Sequence, residues 1–481
     1  MSIFRSLHCA ALALVALLPV AVHADDTSID TRFNPNGIDP GWRRAYDTVQ
    51  PAANQLIIAA ARAPDGGYVL AGRVPGGTGG ALIFLAKVRP SGDYDVSFGG
   101  TIATGNAGVG RVLKDANLTS VSDMTIDAQG RIVVVGETPG ALGQSDFAAL
   151  RFNPNGTDDT SFAGDGSTYI GFDLDTAHGR ASDTPTSVTA ASDGSVYIAG
   201  KVEGVTVGGG SPTTRVGVAK LMPDGSNTNT GYGTLSYGRQ LFNCSYGCEN
   251  VQTVTRIVYD APRNRLVIGG DYSLSANDTD WFLTTQVLGA APSVQTTSYP
   301  IDFGGNSGFQ KGFLYRLDVQ RDGKIVALGF AYDANEDRIP VVLRVQSGIV
   351  NEDTSFGNVS GRGIMLPGTI DAVYYDLAFD SSGRILLVGY YFGYDVAIAT
   401  RLMPNGTIDT GFNGDTVPTA FVATTSNGSS NARATFFGRV FLDAGRPVIA
   451  GMATDSATAV TDYDLIITRL QADRIFVNGL Q

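Results

Sequence analysis

The chain has 481 residues with 61 Gly and 20 Pro, 17% of them charged, and its formal net charge is −12. Abundant glycine with few charged residues is typical of short strands and tight turns, and it argues against long helices or disorder. The negative charge argues against nucleic acid as a partner, because an acidic surface repels phosphates.

Residues 1–24 predict a secretory signal peptide. Arg5 supplies a positive charge, the apolar run CAALALVALLPVAV follows at 9–22, and VHA ends at Ala24, which fits cleavage after a small residue. The apolar run is too short to span a bilayer, and no later stretch predicts a membrane span. We therefore expect one mature domain, residues 25–481, that is secreted or periplasmic.

A turn followed by an apolar run that ends in glycine recurs along the chain. AQGRIVVVG (128–136) and SDGSVYIAG (192–200) are two examples. The runs end at Gly72, Gly136, Gly200, Gly269, Gly329, Gly389 and Gly451, so the interval is 60–69 residues. A regular period of this size indicates a repeat architecture and not several unrelated domains.

Each of the seven repeats predicts four short antiparallel strands. The apolar run is the second strand and FAALRFN (147–153) is a third strand, after which NPNG (153–156) and DTSF (159–162) turn the chain toward a fourth. The pattern predicts an all-β, seven-bladed β-propeller of four-stranded antiparallel blades. A solenoid is the alternative, but a solenoid should carry atypical capping repeats at its ends.

The two ends of the chain complement each other. The seventh repeat stops at 469–481 without a fourth strand, whereas RFNPNGIDPGW (32–42) is a corner motif with no blade before it. This corner leads into RRAYDTV (43–49), an unpartnered fourth strand. We expect residues 43–49 to complete the last blade and close the ring, which leaves no exposed edge and favours a monomer.

The repeated signature resembles the delta-60 repeat of secreted bacterial proteins of uncharacterised function. RDGKIVALG (321–329) and VVLRVQSGIVNEDTSFG (341–357) carry the resemblance, which covers roughly residues 32–481. The fourth repeat departs most, since TTQVLGAAPSVQTTSYP (284–300) lacks the corner pieces. The resemblance implies a secreted, propeller-like repeat protein and no established activity.

The two faces of the predicted ring differ in sequence. Turns between the first and second strands and between the third and fourth strands share one face, the turn face, and they are short and repeated. The remaining connections form the loop face, where they are long and varied, as in residues 202–215. Because loops held on a rigid scaffold carry function, we place the binding surface on the loop face.

Aromatic residues cluster near the loops of repeats four to six. YYF (390–392) cannot place all three rings between blades, because neighbouring side chains in a strand alternate. We predict a non-enzymatic scaffold or binding module for a protein, a cell surface or a polysaccharide. The alternative is that these rings are inter-blade core. The predicted ligand-binding residues are Tyr272, Trp281, Tyr332, Tyr390, Tyr391 and Tyr394.

A propeller hydrolase or lyase with Asp/Glu acid–base catalysis at the channel mouth is the alternative function. It would require two close, buried carboxylates there. His178, in the loop DTAHGR (175–180), is the one histidine that remains after signal removal. We predict no catalytic role for His178, because no second histidine completes a metal site and no nucleophile motif points to it.

Two further patterns concern a disulfide and a metal. Cys244 and Cys248 are the cysteines that remain after signal removal, and in an oxidising compartment we expect them to form a disulfide. Asp333, Asn335 and Asp337 stand at alternate positions, like the start of a calcium loop, although the usual glycine and closing glutamate are missing. Calcium is the one cofactor candidate.

Overall fold

The structure is a computed structural model. It describes residues 29–36, 42–45, 56–99, 110–140, 144–172, 181–205, 213–228, 231–242, 250–275, 278–289, 295–301, 311–333, 335–347, 351–359, 363–365, 372–392, 396–412, 419–421, 433–454 and 463–470. The predicted signal peptide, His178, Cys244, Cys248 and Tyr394 lie outside these residues.

The described residues are mostly strand, as the composition predicts. An N-terminal strand, β1 (Trp42–Ala45), precedes the repeats. The strands of the first three repeats are β2 (Leu56–Arg62), β3 (Tyr68–Pro75), β4 (Ala81–Val88), β5 (Arg111–Leu118), β6 (Ser120–Ile126), β7 (Ile132–Pro139), β8 (Ser145–Phe152), β9 (Ser167–Ile170), β10 (Asp183–Ala190), β11 (Val196–Val205), β12 (Thr213–Leu221) and β13 (Arg239–Leu241).

The fourth repeat contains the one helix of the described residues, a 3₁₀ turn at Ala261–Arg263. No described helix has the length and apolarity that a membrane crossing requires. The remaining strands are β14 (Val251–Asp260), β15 (Arg265–Ser275), β16 (Asp278–Val287), β17 (Gln295–Ile301), β18 (Lys311–Val319), β19 (Ile325–Tyr332), β20 (Arg338–Val345), β21 (Ile364–Met365), β22 (Ala372–Phe379), β23 (Ile385–Tyr391), β24 (Val396–Leu402), β25 (Thr419–Phe421), β26 (Arg433–Asp443), β27 (Arg446–Thr454) and β28 (Tyr463–Arg469).

Hydrogen bonding joins these strands into six sheets. Four sheets hold one repeat each, β2–β5, β6–β9, β10–β13 and β22–β25, and a fifth joins β26, β27 and β28 to β1. The sixth sheet contains both the fourth and the fifth repeat, because Thr279 of β16 pairs in parallel with Lys311 of β18. The prediction of seven separate four-stranded blades is therefore wrong: counted by sheets, the all-β propeller has six blades.

The first strands of successive repeats lie side by side around a central axis. Each contacts the next, from β2 through β6, β10, β14, β18 and β22 to β26, and β26 contacts β2, so the ring is closed. Hydrophobic clusters fill the spaces between successive repeats. One example packs Val135 and Phe147 of the second repeat against Ile198 and Val202 of the third.

A β-bulge in the first strand explains the glycine that ends the apolar run in the second, third, fifth and sixth repeats, and it explains Gly270, next to Gly269, in the fourth. The register of β6 against β7 shifts between Val121 and Asp123, which leaves Ser122 unpaired. The shift presses the Ser120 carbonyl against Gly136, where a Cβ atom would collide with it. A residue with a side chain would displace the strand there, so glycine is required.

The repeated corner motif joins each repeat to the next. The Arg151 Nε donates to Asp159 at 2.7 Å, its Nη1 donates to the Pro223 carbonyl of the next repeat at 2.6 Å, and its guanidinium lies 4.4 Å from the Phe162 ring centre. Gly225, at φ +82°, lies against that ring. Equivalent bonds join Arg344 to Pro404 and Arg469 to Pro90.

The N-terminal segment supplies the corner and the fourth strand of the last sheet. Asp30 accepts a bond from the Arg469 Nε at 3.1 Å, and the Phe33 ring lies 5.2 Å from the Arg469 guanidinium. β1 then pairs antiparallel with β28, from Trp42 opposite Thr468 to Ala45 opposite Leu465. The strand begins one residue before the expected 43–49, and residues 46–49 are not described.

Candidate functional site

The residue left unpaired by the bulge occupies the same place in every first strand, and its identity varies. The bulge residues in chain order are Ile58, Ser122, Thr186, Thr255, Tyr315, Tyr375 and Gly438. Aromatic residues therefore stand at this position in the fifth and sixth repeats alone. Each first strand runs from the loop face to the turn face, and both tyrosines lie near the middle of their strands.

Tyr315 and Tyr375 are part of a continuous aromatic array. The Tyr315 ring stacks on Phe330 at 5.6 Å and meets Tyr375 edge-on at 5.0 Å. Phe330 also stacks on Phe313 at 5.3 Å and meets Tyr332 at 5.2 Å. Tyr315 is 36% exposed although it lies on an innermost strand, so its exposed side opens on the channel or its mouth. Burial of the rest raises the pKa of its hydroxyl to about 12.

Arg338 completes this region at the start of β20. Its guanidinium lies 4.6 Å from the Phe392 ring centre and 5.8 Å from that of Tyr332, within range of a cation–π attraction. Phe392 is 39% exposed and packs edge-on against Tyr390 at 4.8 Å. We call the set Phe313, Tyr315, Phe330, Tyr332, Arg338, Tyr375 and Phe392 the aromatic mouth.

A ring of residues, one per repeat and all of them polar or charged except one alanine, lies on the turn-face side of the aromatic mouth, directly after each bulge. We call it the axial ring: Ala59, Asp123, Ser187, Arg256, Arg316, Asp376 and Arg439. Asp123 forms an ion pair with Arg256 at 2.8 Å, and Asp376 forms one with Arg316 at 2.6 Å. Burial lowers the pKa of Arg256 to about 10 and lowers that of Arg439.

The axial ring also bonds one repeat to the next. Asp123 accepts the backbone N–H of Val188 at 3.1 Å and Asp376 accepts that of Val440 at 2.8 Å. The Arg439 guanidinium donates to the Ile58 carbonyl at 2.6 Å, across the joint between the last repeat and the first. These side chains therefore bond backbone groups on the first strand of a neighbouring repeat.

Burial also raises the pKa of two carboxyl groups outside the axial ring. Burial raises the pKa of Asp271 to about 7. Hydrogen bonds from Thr253 and from the Leu314 backbone N–H act in the opposite direction and lower this pKa, but burial has the larger effect. Burial also raises the pKa of Asp318, two residues after Arg316 on β18. Asp271 joins the fourth repeat to the fifth, within the sheet that the two share.

The aromatic residues expected to bind ligand are placed differently from one another. Tyr272 and Trp281 are 3% and 0% exposed and belong to hydrophobic clusters between repeats. Tyr332 is half-buried within the aromatic mouth, and Tyr390 is half-buried against Phe392. Tyr391 is the last residue of β23, and Tyr394 is not described.

Tyr315 and Tyr375 are not among the predicted ligand-binding residues, because those residues were predicted near the loops and these two tyrosines lie on first strands. Aligning the repeats on the glycine at the end of the apolar run places Tyr315 and Tyr375, each 14 residues before that glycine, at the position of Ile58, Ser122 and Thr186.

The loop with the calcium-like spacing is closed by its own hydrogen bonds. Asp333 Oδ1 accepts the backbone N–H groups of Asn335 at 2.8 Å and of Asp337 at 2.9 Å. This is the capping geometry of an acidic turn residue. Within the described parts of the chain, no three His, Cys, Asp or Glu side chains are grouped to hold a metal ion.

Two segments match a family model described as a domain of unknown function (DUF5122) beta-propeller. The matched residues are 129–162 and 381–412, which contain second and third strands and corner motifs of the second and sixth repeats. The match supports a propeller repeat family of unknown function, while the delta-60 name remains a resemblance. No curated protein matches the chain.

Solved structures of similar shape include three proteins that differ in their described functions. A protein of unknown function from Dyadobacter fermentans DSM 18053 is 12% identical, with a TM-score of 0.40, 90% of this chain covered and 100% of that one. An ulvan lyase, a polysaccharide lyase, is 10% identical at TM-score 0.42, with 89% and 96% covered. A puromycin-hydrolysing peptidase of Mycobacterium tuberculosis is 9% identical at TM-score 0.45, with 90% and 56% covered. The protein is a β-propeller of unknown function.

Proposed function

We propose that the protein is a secreted, non-enzymatic binding module that holds a polysaccharide at the aromatic mouth. The observation that carries the proposal is Tyr315, an aromatic residue that is 36% exposed on an innermost strand and held by Phe330 and Tyr375. A ring held by its neighbours loses little conformational freedom when a ligand stacks on it. The predicted signal peptide supports a location outside the cytoplasm.

The position of Tyr315 favours a narrow ligand over a protein partner. Its exposed surface belongs to the innermost strand, which a sugar chain can reach and a flat protein surface cannot. Arg338, beside Tyr332 and Phe392 at the rim of the mouth, adds a cationic group. Stacking on aromatic faces together with a few polar groups is a combination that suits sugar rings.

The carboxylates of the axial ring favour binding over acid–base catalysis. Asp123 and Asp376 each form an ion pair with an arginine and accept a backbone N–H group. A general acid must be free to hold and transfer a proton to a substrate, and a carboxylate engaged in this way is not. The ion pairs of Asp123 and Asp376 therefore do not support the hydrolase or lyase alternative.

A glycan array probed with residues 25–481, followed by calorimetry on the bound glycans, tests the proposal. The variant Tyr315→Thr carries the residue type found at this position in repeats three and four. We expect it to weaken binding at least tenfold, as loss of a central aromatic contact typically does. Its melting temperature should stay within a few degrees of the wild type, since Tyr315 is partly exposed.

The matched control is Tyr259→Thr, which removes a half-buried tyrosine from the turn-face end of another innermost strand, β14. We expect this control to leave the affinity unchanged. The proposal fails if no glycan binds, or if Tyr315→Thr binds the glycan as tightly as the wild type does.

A further inference from the structure

A second cleft opens on the outer rim of the ring, between the second and third repeats. It has a volume of about 370 Å³, and its lining includes Tyr169, Phe172, Asn227, Tyr237 and Arg239. Tyr169 lies on β9 and Arg239 on β13, the outermost strands of their repeats. The cleft is therefore far around the ring from the aromatic mouth of repeats five and six.

Arg239 is held in this cleft by neutral groups. Its Nε donates to the Ser236 carbonyl at 2.9 Å, and its Nη1 donates to the carbonyls of Gly171 and Phe172. The guanidinium lies 5.9 Å from the Phe172 ring centre and 5.7 Å from that of Tyr237. Among the described residues no carboxylate forms an ion pair with Arg239, and no hydrogen bond engages its Nη2.

The corner arginines of three other repeats, which lie on third strands, do have carboxylate partners. Arg151, Arg344 and Arg401 each form an ion pair with an aspartate, at 2.7, 2.9 and 2.7 Å. The third repeat has lost that motif: Lys220 stands in place of the arginine, and the segment GYGTLSYGR (231–239) replaces the usual approach to the fourth strand. In a chain of net charge −12, Arg239 is thus a fixed cation without a described counter-charge.

The rest of the lining supplies flat apolar faces and an amide. Tyr169 is 49% exposed and Tyr237 is 57% exposed, which is high for large side chains. Tyr237 also has φ +60°, a left-handed conformation that is costly for an aromatic residue and is often found at binding sites. The Asn227 side chain is half-buried and forms no hydrogen bond within the described residues.

We propose that this cleft binds an anionic saccharide, with the carboxylate or sulfate group of one sugar unit against Arg239. The Arg239 Nη2, which no described residue engages, donates to the anion, because a planar guanidinium suits such oxygens. The tyrosines stack on the sugar ring, and the Asn227 amide bonds a ring hydroxyl. The interaction is electrostatic in part, so the affinity falls as the salt concentration rises.

Calorimetric titration of residues 25–481 tests the site with three probes: a galacturonic acid trimer, a sulfated galactose trimer and a neutral galactose trimer. We expect at least one acidic trimer to bind tenfold more tightly than the neutral one, and the stronger of the two identifies the anion. Arg239→Gln should abolish that preference. Tyr237→Asn should weaken binding at least fivefold at an unchanged or raised melting temperature, since asparagine accepts a positive φ.

Three results would overturn the proposal. One is that neither acidic trimer binds, and another is that the neutral trimer binds as tightly as both acidic ones. The third is that Tyr237→Asn leaves acidic binding unchanged while Tyr315→Thr abolishes it, which would assign the ligand to the aromatic mouth. If Tyr315→Thr loses the glycan bound on the array but keeps the binding of the acidic trimer, the aromatic mouth and the rim cleft are separate sites.

Discussion

The turn face and the loop face of this ring are built from the same strands and differ in what repeats. On the turn face, arginine, aspartate and phenylalanine recur as one bonded unit, seen at Arg151 and again at Arg344 and Arg401. Among the described residues of the loop face no such unit recurs, and the aromatic mouth belongs to two repeats. Repetition therefore marks the groups that bind one repeat to the next, and departures from it mark the candidate binding sites.

The largest expected loss of stability comes from removing the N-terminal segment, which supplies the corner and the fourth strand of the last sheet. A chain of residues 51–481 lacks Asp30, Phe33 and β1, so the buried Arg469 loses the nearer of its two carboxylate partners and keeps Asp443 at 3.7 Å, and the β28 edge is exposed. Breaking a buried ion pair alone typically costs about 3–5 kcal/mol. We expect the free energy of unfolding to fall by at least that much, measured by urea denaturation.

Sedimentation should show the shortened chain self-associating, because an unpaired strand edge recruits other strands. A monomeric 51–481 with the same urea midpoint as 25–481 would contradict the closing role of the N-terminal segment. The substitution Asp30→Asn in the longer chain separates loss of the ion pair from loss of the strand.

A single corner unit gives the next largest effect. Arg151→Ala leaves Asp159 buried without its partner and also removes the bond to Pro223 in the next repeat. We expect a loss of about 3–5 kcal/mol in the free energy of unfolding. The matched control is Arg32→Ala, because Arg32 also pairs with an aspartate but its side chain is 74% exposed. Exposed pairs contribute about 0–1 kcal/mol, so equal losses in the two variants would refute the corner's role.

The smallest expected effect concerns the sheet shared by repeats four and five. The pKa of Asp271 is about 7 in the folded chain against a usual value of 3.8. A raised pKa means that the protonated carboxyl favours folding below pH 3.8 and that this stabilisation is lost as the pH rises through 7. The ceiling is about 4 kcal/mol, since one pKa unit corresponds to about 1.4 kcal/mol.

Replacing the carboxyl with an amide should remove this pH dependence. Between pH 4 and pH 8, the wild type should lose stability relative to Asp271→Asn in urea denaturation at constant ionic strength. Parallel stability curves for the two proteins across that range would show that Asp271 does not titrate in the fold.

Much of the architecture could be predicted from local chemistry. The NPNG turns, the repeat interval and the unmatched ends identified a propeller and its N-terminal strand, because each depends on nearby residues. The segment DTRF (30–33) differs from DTSF by one residue, but the sequence prediction did not include it as the missing corner of the last repeat. Pairing of Asp30 with Arg469 spans 439 residues, and no local pattern shows it.

The remaining features depend on how neighbouring repeats approach each other. The shared sheet arises from one parallel bridge between Thr279 and Lys311, which separate strand patterns cannot reveal. Trp281 is buried because its ring packs over Gly329 of the next repeat. Each bulge shifts the alternation of side chains by one residue, so the place of Tyr315 could not be read from simple alternation.

The bond between Asp30 and Arg469 has a consequence for the order of events during folding. Contacts between distant residues form late, because a long loop of chain must first be closed. A sheet within the middle of the chain can form as soon as its own repeat is complete. The last sheet, by contrast, forms only when β28 has paired with β1 from the N-terminal segment. The chain with an open ring is the species most exposed to aggregation. Its lifetime depends on how fast the N-terminal segment docks on the last repeat.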